Sequence, residues 1–184
     1  SATWCGPCWA YHNTHALKNL YDQYGPGTAQ NKVRVFFIEG DGSTTLADLQ
    51  GTGSNTQGNW IAGTTYPIID NASIGNLLQI NYFPTIYKVC PNRLITEVGQ
   101  INTTQLWNSV GSCQQAVSAN DGTLLPALGS VRACQGSGVD LTARLQNLGT
   151  SPMTSATIEA LQGSTVLGST NWTGNLNTYD VIDV

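Results

Sequence analysis

Apolar residues near the start of the chain recur at the spacing of an α-helix. One face, at positions i, i+3, i+4 and i+7, carries Leu17, Leu20, Tyr21 and Tyr24. This spacing is typical of an amphipathic helix, and the Gly25-Pro26 pair that follows is typical of a helix end. We therefore predict one helix that begins at the Cys-x-x-Cys motif of Cys5 and Cys8 and ends before Gly25.

Short apolar runs, rich in β-branched and aromatic residues, alternate with helical patterns in the stretch that follows. We predict strands at residues 32–38, 66–70, 85–90 and 94–98, the last two forming a hairpin. We predict helices at residues 44–49, 71–80 (capped by Asn71 or Ser73) and 102–113 (capped by Thr103 or Thr104). Residues 50–65 should form a long loop near the cysteine motif. The alternation favours an α/β domain, a sheet covered by helices, over residues 1–118.

The pattern changes after Asn120 to short alternating runs separated by turns rich in Gly, Asn, Ser and Thr. A period of two without a helical period is typical of antiparallel strands. We therefore predict a second, all-β domain over residues 119–184, built as a β-sandwich.

Composition narrows the classes of partner. The chain of 184 residues has a net charge of −4, and charged residues make up only 10% of it. Its seven Lys and Arg residues stand singly, so there is no basic stripe and we expect no nucleic-acid partner. No apolar run approaches the roughly 20 residues of a membrane helix, so we expect no membrane span. A surface rich in amides and hydroxyls indicates an extracytoplasmic protein, secreted or at the cell surface, with the periplasm as the alternative.

The segment Trp4-Cys5-Gly6-Pro7-Cys8 carries the candidate chemistry. A helix N-terminus stabilises negative charge, so Cys5 can ionise to the thiolate that attacks a disulfide, and Cys8, about one turn later, can resolve the mixed disulfide. Gly6 permits the tight entry into the helix, and Pro7 needs no amide hydrogen there. These features favour a redox centre without metal or cofactor. Half of a metal site and a structural bridge are the alternatives.

Two motifs resemble the thioredoxin superfamily, especially its extracytoplasmic thiol-disulfide branch. They are Trp-Cys-Gly-Pro-Cys and Tyr-Phe-Pro-Thr-Ile-Tyr, and the resemblance covers about residues 1–117. It implies that Cys5 is the nucleophile, that Cys8 is the resolving cysteine, and that a cis Pro84 faces them. It also implies that Trp4, Phe83 and Pro84 bind the substrate chain.

The chain departs from that family at two places. The family has a β-strand before the motif, whereas only Ser1-Ala2-Thr3 precede Trp4 here, so we expect the strand to be missing or supplied by another chain. The family's lysine on the next strand has no counterpart, since that strand ends in Glu39. His12 and His15, on the first helix, are expected at the surface without a catalytic role.

The resemblance also suggests how the other cysteines pair. In that fold the strand ending at Cys90 and the helix ending near Cys113 finish at the same end of the domain, so a structural Cys90–Cys113 disulfide is predicted. Cys134 would then be unpaired and buried in the second domain. A Cys113–Cys134 bridge that ties the two domains together is the alternative.

The second domain resembles the immunoglobulin-like modules of large bacterial cell-surface proteins, including those exported by the type IX secretion system. The resemblance covers about residues 124–184 and rests on an Asn-x-Gly turn and a Trp-x-Gly strand. The segment has room for about five strands, whereas such a sandwich commonly has about seven, so we expect it to be truncated. Neighbouring copies could supply strands, which would make the protein part of a homo-oligomeric surface assembly.

These features predict an exported thiol-disulfide oxidoreductase that uses Cys5 and Cys8 on extracytoplasmic protein substrates or a redox partner. The alternative is a structural or adhesive subunit of a cell-surface assembly. In that alternative the thioredoxin-like fold is a scaffold, Cys5–Cys8 is a permanent disulfide, and strands from neighbouring chains complete the sheets.

Overall fold

The computed structural model describes residues 1–128 and 140–184. These residues form two compact units, an N-terminal unit of Ser1–Val89 with Ile95–Ser112, and a C-terminal unit of Cys90–Leu94 with the described part of Cys113–Val184. Cys134, and with it the predicted Cys113–Cys134 alternative, lies outside the described residues.

The N-terminal unit combines short helices with short strands. Its helices are α1 (Gly6–His12), α2 (Ala16–Tyr24), α3 (Leu46–Leu49), α4 (Ala72–Leu77) and α5 (Thr103–Val110). Its strands are β1 (Phe37–Glu39), β2 (Ile68–Asp70), β3 (Tyr87–Val89) and β4 (Ile95–Glu97). β1 pairs in parallel with β2, and β3 pairs antiparallel with β4, so the described strands form two separate pairs. The predicted hairpin at β3 and β4 is confirmed.

The prediction of a single helix after the cysteine motif is wrong, because the chain breaks it between α1 and α2. The Thr14 hydroxyl donates a hydrogen bond to the Tyr11 carbonyl oxygen at 2.7 Å. A threonine hydroxyl bonded in this way competes with the backbone bond of a continuing helix. His15 then adopts a left-handed backbone conformation with a φ of 56°. The predicted stop before Gly25 is confirmed, since Gly25 is the C-cap of α2.

The strand predicted at residues 32–38 is paired only at its end. Only Phe37–Glu39 of this stretch pair with β2. Side chains nevertheless alternate between buried and exposed from Val33 to Glu39, as the pleat of an extended chain requires. Ser1 lies beside this strand, because its nitrogen donates to the Ile38 carbonyl oxygen at 3.1 Å and its carbonyl oxygen accepts from the Gly40 amide at 2.8 Å.

Both cysteines of the motif belong to the hydrophobic core of the N-terminal unit. The buried core residues are Ala2, Cys5, Cys8, Tyr11, Ala16, Leu20, Val33, Val35, Phe37, Leu49, Trp60, Tyr66 and Leu106. The motif is therefore held by packing on several elements and not only by its own helix.

Side chains at the helix starts fix the later helices. Asn71 caps α4 by accepting the amide of Ser73, which confirms one of the two predicted caps. Asn102, and not Thr103 or Thr104, caps α5, and it forms a capping box with Gln105. The prediction of a threonine cap is wrong because the Asn102 side chain satisfies the Gln105 amide one residue earlier in the chain.

The C-terminal unit has strands only, among its described residues. They are β5 (Gly122–Leu128), β6 (Thr142–Asn147), β7 (Met153–Gln162), β8 (Thr165–Leu176) and β9 (Val181–Asp183). All pairs are antiparallel, in one sheet of order β5-β6-β9 and a separate ribbon of β7 and β8. A Gly163 φ of 59° allows the tight turn between β7 and β8.

A disulfide and a buried amide fix the loop of residues 90–94 within the C-terminal unit. Cys90 and Cys113 are joined by a disulfide with a Cα–Cα distance of 5.4 Å. The Gln146 side-chain amide donates to the Asn92 carbonyl oxygen at 3.0 Å and to the Tyr179 carbonyl oxygen at 3.2 Å. Gln146 is almost fully buried, so these bonds are shielded from water.

Candidate functional site: a disulfide at a helix start beside a cleft

Cys5 and Cys8 form a disulfide at the start of α1. Their sulfur atoms are 2.06 Å apart and their Cα atoms 5.2 Å apart. Cys5 is the N-cap of α1, and its Sγ accepts a hydrogen bond from the Cys8 amide at 3.2 Å. Pro7 stands in the first turn, where a helix has amides without intrahelical partners, so its missing N–H costs no bond. The local sequence therefore aims a backbone donor at the sulfur of Cys5.

A cleft of about 460 Å³ opens beside this disulfide. Its lining residues are Trp4, Cys5, Gly6, Pro7, Ile80, Asn81, Tyr82 and Phe83. Of the two cysteines, Cys5 contributes to this lining. Cys5 therefore borders the cleft with 4% of its surface exposed.

Trp4 and Phe83 form one wall of the cleft. Their rings meet edge to face, with centroids 6.4 Å apart. The Phe83–Pro84 peptide bond is cis, as predicted. Gly40 permits the close approach of the Phe83 ring, because a Cβ atom on Gly40 would lie 3.0 Å from Phe83 Cζ. The structure thus brings Trp4, Cys5 and Phe83 of the predicted site together.

Carboxylates hold two of the aromatic side chains that line the cleft. Trp4 Nε1 donates a hydrogen bond to Asp41 Oδ2 at 2.6 Å, and the Tyr82 hydroxyl donates to Glu97 Oε1. Hydrogen bonds from the Ser43 amide, from Trp4 and from the Ser43 hydroxyl lower the pKa of the Asp41 carboxyl. The hydrogen bond to Glu97 raises the pKa of Tyr82, since phenol ionisation would break that bond.

Glu39 is a buried acid at the end of β1. Its Oε1 accepts hydrogen bonds from the Asp41 amide at 3.0 Å and the Thr44 hydroxyl at 3.1 Å. Its Oε2 has no hydrogen-bond partner among the described residues. Burial raises the pKa of the Glu39 carboxyl. Thr44 Oγ1 in turn lies 3.3 Å from Thr3 Oγ1, two residues before Cys5.

From the sequence, Glu39 was expected only to stand at the end of a strand. A signal for its burial was present, because Glu39 continues the period of two that places Val33, Val35 and Phe37 in the core. Glu39 departs from that pattern only in its chemistry, because it places a carboxyl group where an apolar side chain is usual.

The loop over residues 50–65 contacts the cysteine motif, as its predicted position suggested. The Gln57 amide donates to the Thr3 carbonyl oxygen at 2.9 Å, and the Gln57 side chain donates to the Trp4 carbonyl oxygen, also at 2.9 Å. Trp60 anchors the loop in the core with only 1% of its surface exposed. The loop therefore supports the backbone that precedes Cys5.

His12 is half-buried against two aromatic rings, whereas the sequence predicted a surface position. Its ring stacks on Trp9 at a centroid distance of 5.3 Å and lies 5.2 Å from Trp60. Burial, and secondly the nearby His15, lower the pKa of His12. His15, by contrast, is exposed.

The remaining predicted residues lie elsewhere. Cys90 and Cys113 belong to the C-terminal unit. No helix in residues 1–128 and 140–184 has the length and apolar character to cross a membrane. In comparisons with known proteins, the chain matches no protein-family model, no curated protein and no solved structure.

Proposed function

We propose that the protein is an exported thiol-disulfide oxidoreductase whose N-terminal unit is thioredoxin-like and acts on extracytoplasmic proteins. One observation carries the proposal. The Cys5–Cys8 disulfide lies at a helix start with Cys5 on the cleft and the Cys8 amide donating to Cys5 Sγ. A buried structural bridge would need neither the cleft nor the donor.

The same contact supports Cys5 as the nucleophile. In the reduced protein, the Cys8 amide and the positive end of the α1 dipole would stabilise a thiolate on Cys5. That thiolate attacks a substrate disulfide, a Cys5–substrate bond forms, and one substrate thiolate leaves. Cys8 then attacks Cys5 Sγ, which forms the Cys5–Cys8 bond and releases the second substrate thiolate. Two electrons pass from the protein to the substrate, and the reverse sequence oxidises a dithiol.

The wall formed by Trp4 and Phe83 would hold the substrate chain against Cys5. Trp4 is 44% exposed and Tyr82 58%, so both offer apolar surface to a partner. Pro84, the other predicted substrate-binding residue, follows Phe83 and is not among the residues that line the cleft. The thioredoxin-like assignment is further supported by the order of β1, β2, the β3–β4 hairpin and α5 after the motif.

We propose an extracytoplasmic location because of the disulfides. A second disulfide, Cys90–Cys113, persists in oxidising compartments and is rare where glutathione and thioredoxin keep thiols reduced. The low content of charged residues agrees with this location.

Catalysed reduction of insulin by dithiothreitol tests the proposal, with Cys5→Ser and Cys8→Ser as a matched pair. Both substitutions break the same disulfide, and both side chains are equally buried, with 4% and 3% of their surface exposed. Native protein should accelerate the reduction, and both variants should lose turnover. Absence of catalysis by native protein, or full activity of Cys5→Ser, would show that the proposal is wrong.

A structural or adhesive role is the second candidate, and burial of both sulfurs favours it. A sulfur with so little exposure is typical of a permanent crosslink. In that case Cys5–Cys8 would stay oxidised in equilibrium with millimolar dithiothreitol, and the β7–β8 ribbon would pair with strands from neighbouring copies. Mass spectrometry after alkylation tests the first expectation, and sedimentation velocity tests the second.

A further inference from the structure

Two carboxylates are hydrogen-bonded to side chains that line the cleft. Asp41 accepts a hydrogen bond from Trp4, and Glu97 accepts one from Tyr82, while neither acid is itself a lining residue. No Lys or Arg is among the residues that line the cleft.

Three of the described cations have partners elsewhere in the protein. Lys18 binds Asp22 at 2.5 Å, and Lys88 binds the Ser112 hydroxyl at 2.7 Å. In the C-terminal unit, Arg144 binds Asp183 at 2.9 Å. Neither Asp41 nor Glu97 belongs to an ion pair among the described residues, and Glu97 is exposed while Asp41 is half-buried.

We propose that this cleft selects thiol and disulfide partners that carry positive charge next to the reacting sulfur. The inference rests on the proposed redox function and names its substrate class, cationic peptides or cationic small disulfides. Opposite charges attract a partner into the cleft, and like charges repel it, with an effect that salt screens.

Each probe disulfide is reduced in the same two exchange steps. Reduced protein attacks a symmetric disulfide through Cys5, so one Cys5–S bond forms, the probe S–S bond breaks and one probe thiolate leaves. Cys8 then attacks Cys5 Sγ and releases the second probe thiolate. The probe gains two electrons, the protein dithiol loses them, and the thiolates take protons from water according to their pKa.

Three probes of similar size test the inference. They are cystamine with two positive charges, 2-hydroxyethyl disulfide without charge, and dithiodiglycolate with two negative charges. For each probe, the rate of thiol release by reduced protein is divided by the rate at which dithiothreitol, a neutral reductant, reduces the same probe. This normalisation removes differences in intrinsic reactivity between the probes. We expect the normalised rate for cystamine to exceed that for dithiodiglycolate by about 5-fold or more at 10 mM salt, and the ratio to approach one at 1 M salt, where the Debye length is about 3 Å.

Charge-removing variants locate the effect. Glu97→Gln keeps an oxygen acceptor for the Tyr82 hydroxyl. Asp41→Asn keeps an acceptor for Trp4 but replaces the oxygen that accepts from Ser43 with an amide group. Each should lower the cystamine-to-dithiodiglycolate ratio by about 2-fold, and the double variant should lower it further. Glu159→Gln, an exposed position on β7 of the C-terminal unit, removes the same charge and should leave the ratio unchanged.

The outcomes separate this inference from the proposed function. Equal normalised rates for all three probes, or a preference for the anion, overturn the inference even when the neutral disulfide is reduced in a Cys5-dependent way. A protein that reduces none of the three overturns the proposed function and the inference together. A charge preference that Glu159→Gln lowers as much as Glu97→Gln also overturns the inference, because the effect would then come from net charge.

Discussion

Thr44 donates its hydroxyl hydrogen to Glu39 Oε1 at 3.1 Å in the interior of the N-terminal unit. The Asp41 amide donates to the same oxygen at 3.0 Å, so the loop after β1 is folded around this carboxyl group. The second oxygen, Oε2, has no partner among the described residues. Glu39 therefore fixes the loop that carries Asp41 while one of its oxygens stays unpaired in the core.

Ionisation of Glu39 is expected to destabilise the folded protein. Burial raises the pKa of this carboxyl above its ordinary value of 4.5, so the folded state holds the proton to higher pH than the unfolded state. The stability contributed by Glu39 is fully present below about pH 4.5 and is lost as the pH rises through the raised pKa. Urea unfolding between pH 4 and pH 8 should show this loss of stability for native protein and not for Glu39→Gln. At pH 7, the Glu39→Gln variant should be more stable than native protein.

Glu159→Gln provides the control for this prediction, because Glu159 is exposed on β7. Its pH profile should match that of native protein. At pH 4, where glutamine resembles a protonated Glu39, native protein and Glu39→Gln should agree within about 1 kcal/mol. Parallel profiles for the two over the whole range would contradict the role assigned to Glu39.

Removal of the Trp60 ring should destabilise the N-terminal unit strongly. The ring is 1% exposed and lies 4.9 Å from Trp9 and 5.4 Å from Phe37. Trp60→Ala should lower the free energy of unfolding by about 3–5 kcal/mol, since it leaves a large cavity. Ile61→Ala, at the neighbouring position with 41% exposure, should cost less than about 1 kcal/mol. Similar losses at both positions, measured by urea unfolding, would disprove the anchoring of the loop by Trp60.

Loss of the Cys90–Cys113 disulfide should destabilise the protein. The bridge closes a loop with a sequence separation of 23, for which the loop-entropy relation gives about 3 kcal/mol. The Cys90→Ser/Cys113→Ser double variant should unfold at correspondingly lower urea concentration while it retains disulfide exchange at Cys5. A decrease of less than about 1 kcal/mol in the free energy of unfolding would indicate that hydrogen bonds alone hold the loop of residues 90–94.

Local sequence signals were sufficient where neighbouring residues decide the structure. The Gly25 stop, the Asn71 cap and the turn between β3 and β4 follow from such signals, and all three are confirmed. The break after α1 was missed because the apolar spacing from Leu17 to Tyr24, which lies entirely within α2, was extended back to the cysteine motif. The Thr14 hydroxyl, which competes for a backbone carbonyl, was the local signal of the break.

Long-range contacts explain the rest of what the sequence did not show. Trp4 meets Asp41 over a separation of 37 residues, and Tyr82 meets Glu97 over 15. No periodicity relates these positions, so the charged surroundings of the cleft could be seen only after folding had brought the segments together. The position of Cys5 was predictable because its neighbours in sequence, Gly6 and Pro7, are also its neighbours in space.

Trapping of a mixed disulfide tests the central claim most directly, that Cys5 is the nucleophile and Cys8 resolves its adduct. Reduced Cys8→Ser and Cys5→Ser are each mixed with 2-hydroxyethyl disulfide, quenched with acid and examined by intact-mass and peptide mass spectrometry. We predict a stable adduct on Cys5 of Cys8→Ser, formed well below the pH of about 8.5 at which an ordinary thiol ionises, and little adduct on Cys8 of Cys5→Ser. Equal labelling of both cysteines, or labelling of neither, would contradict the claim.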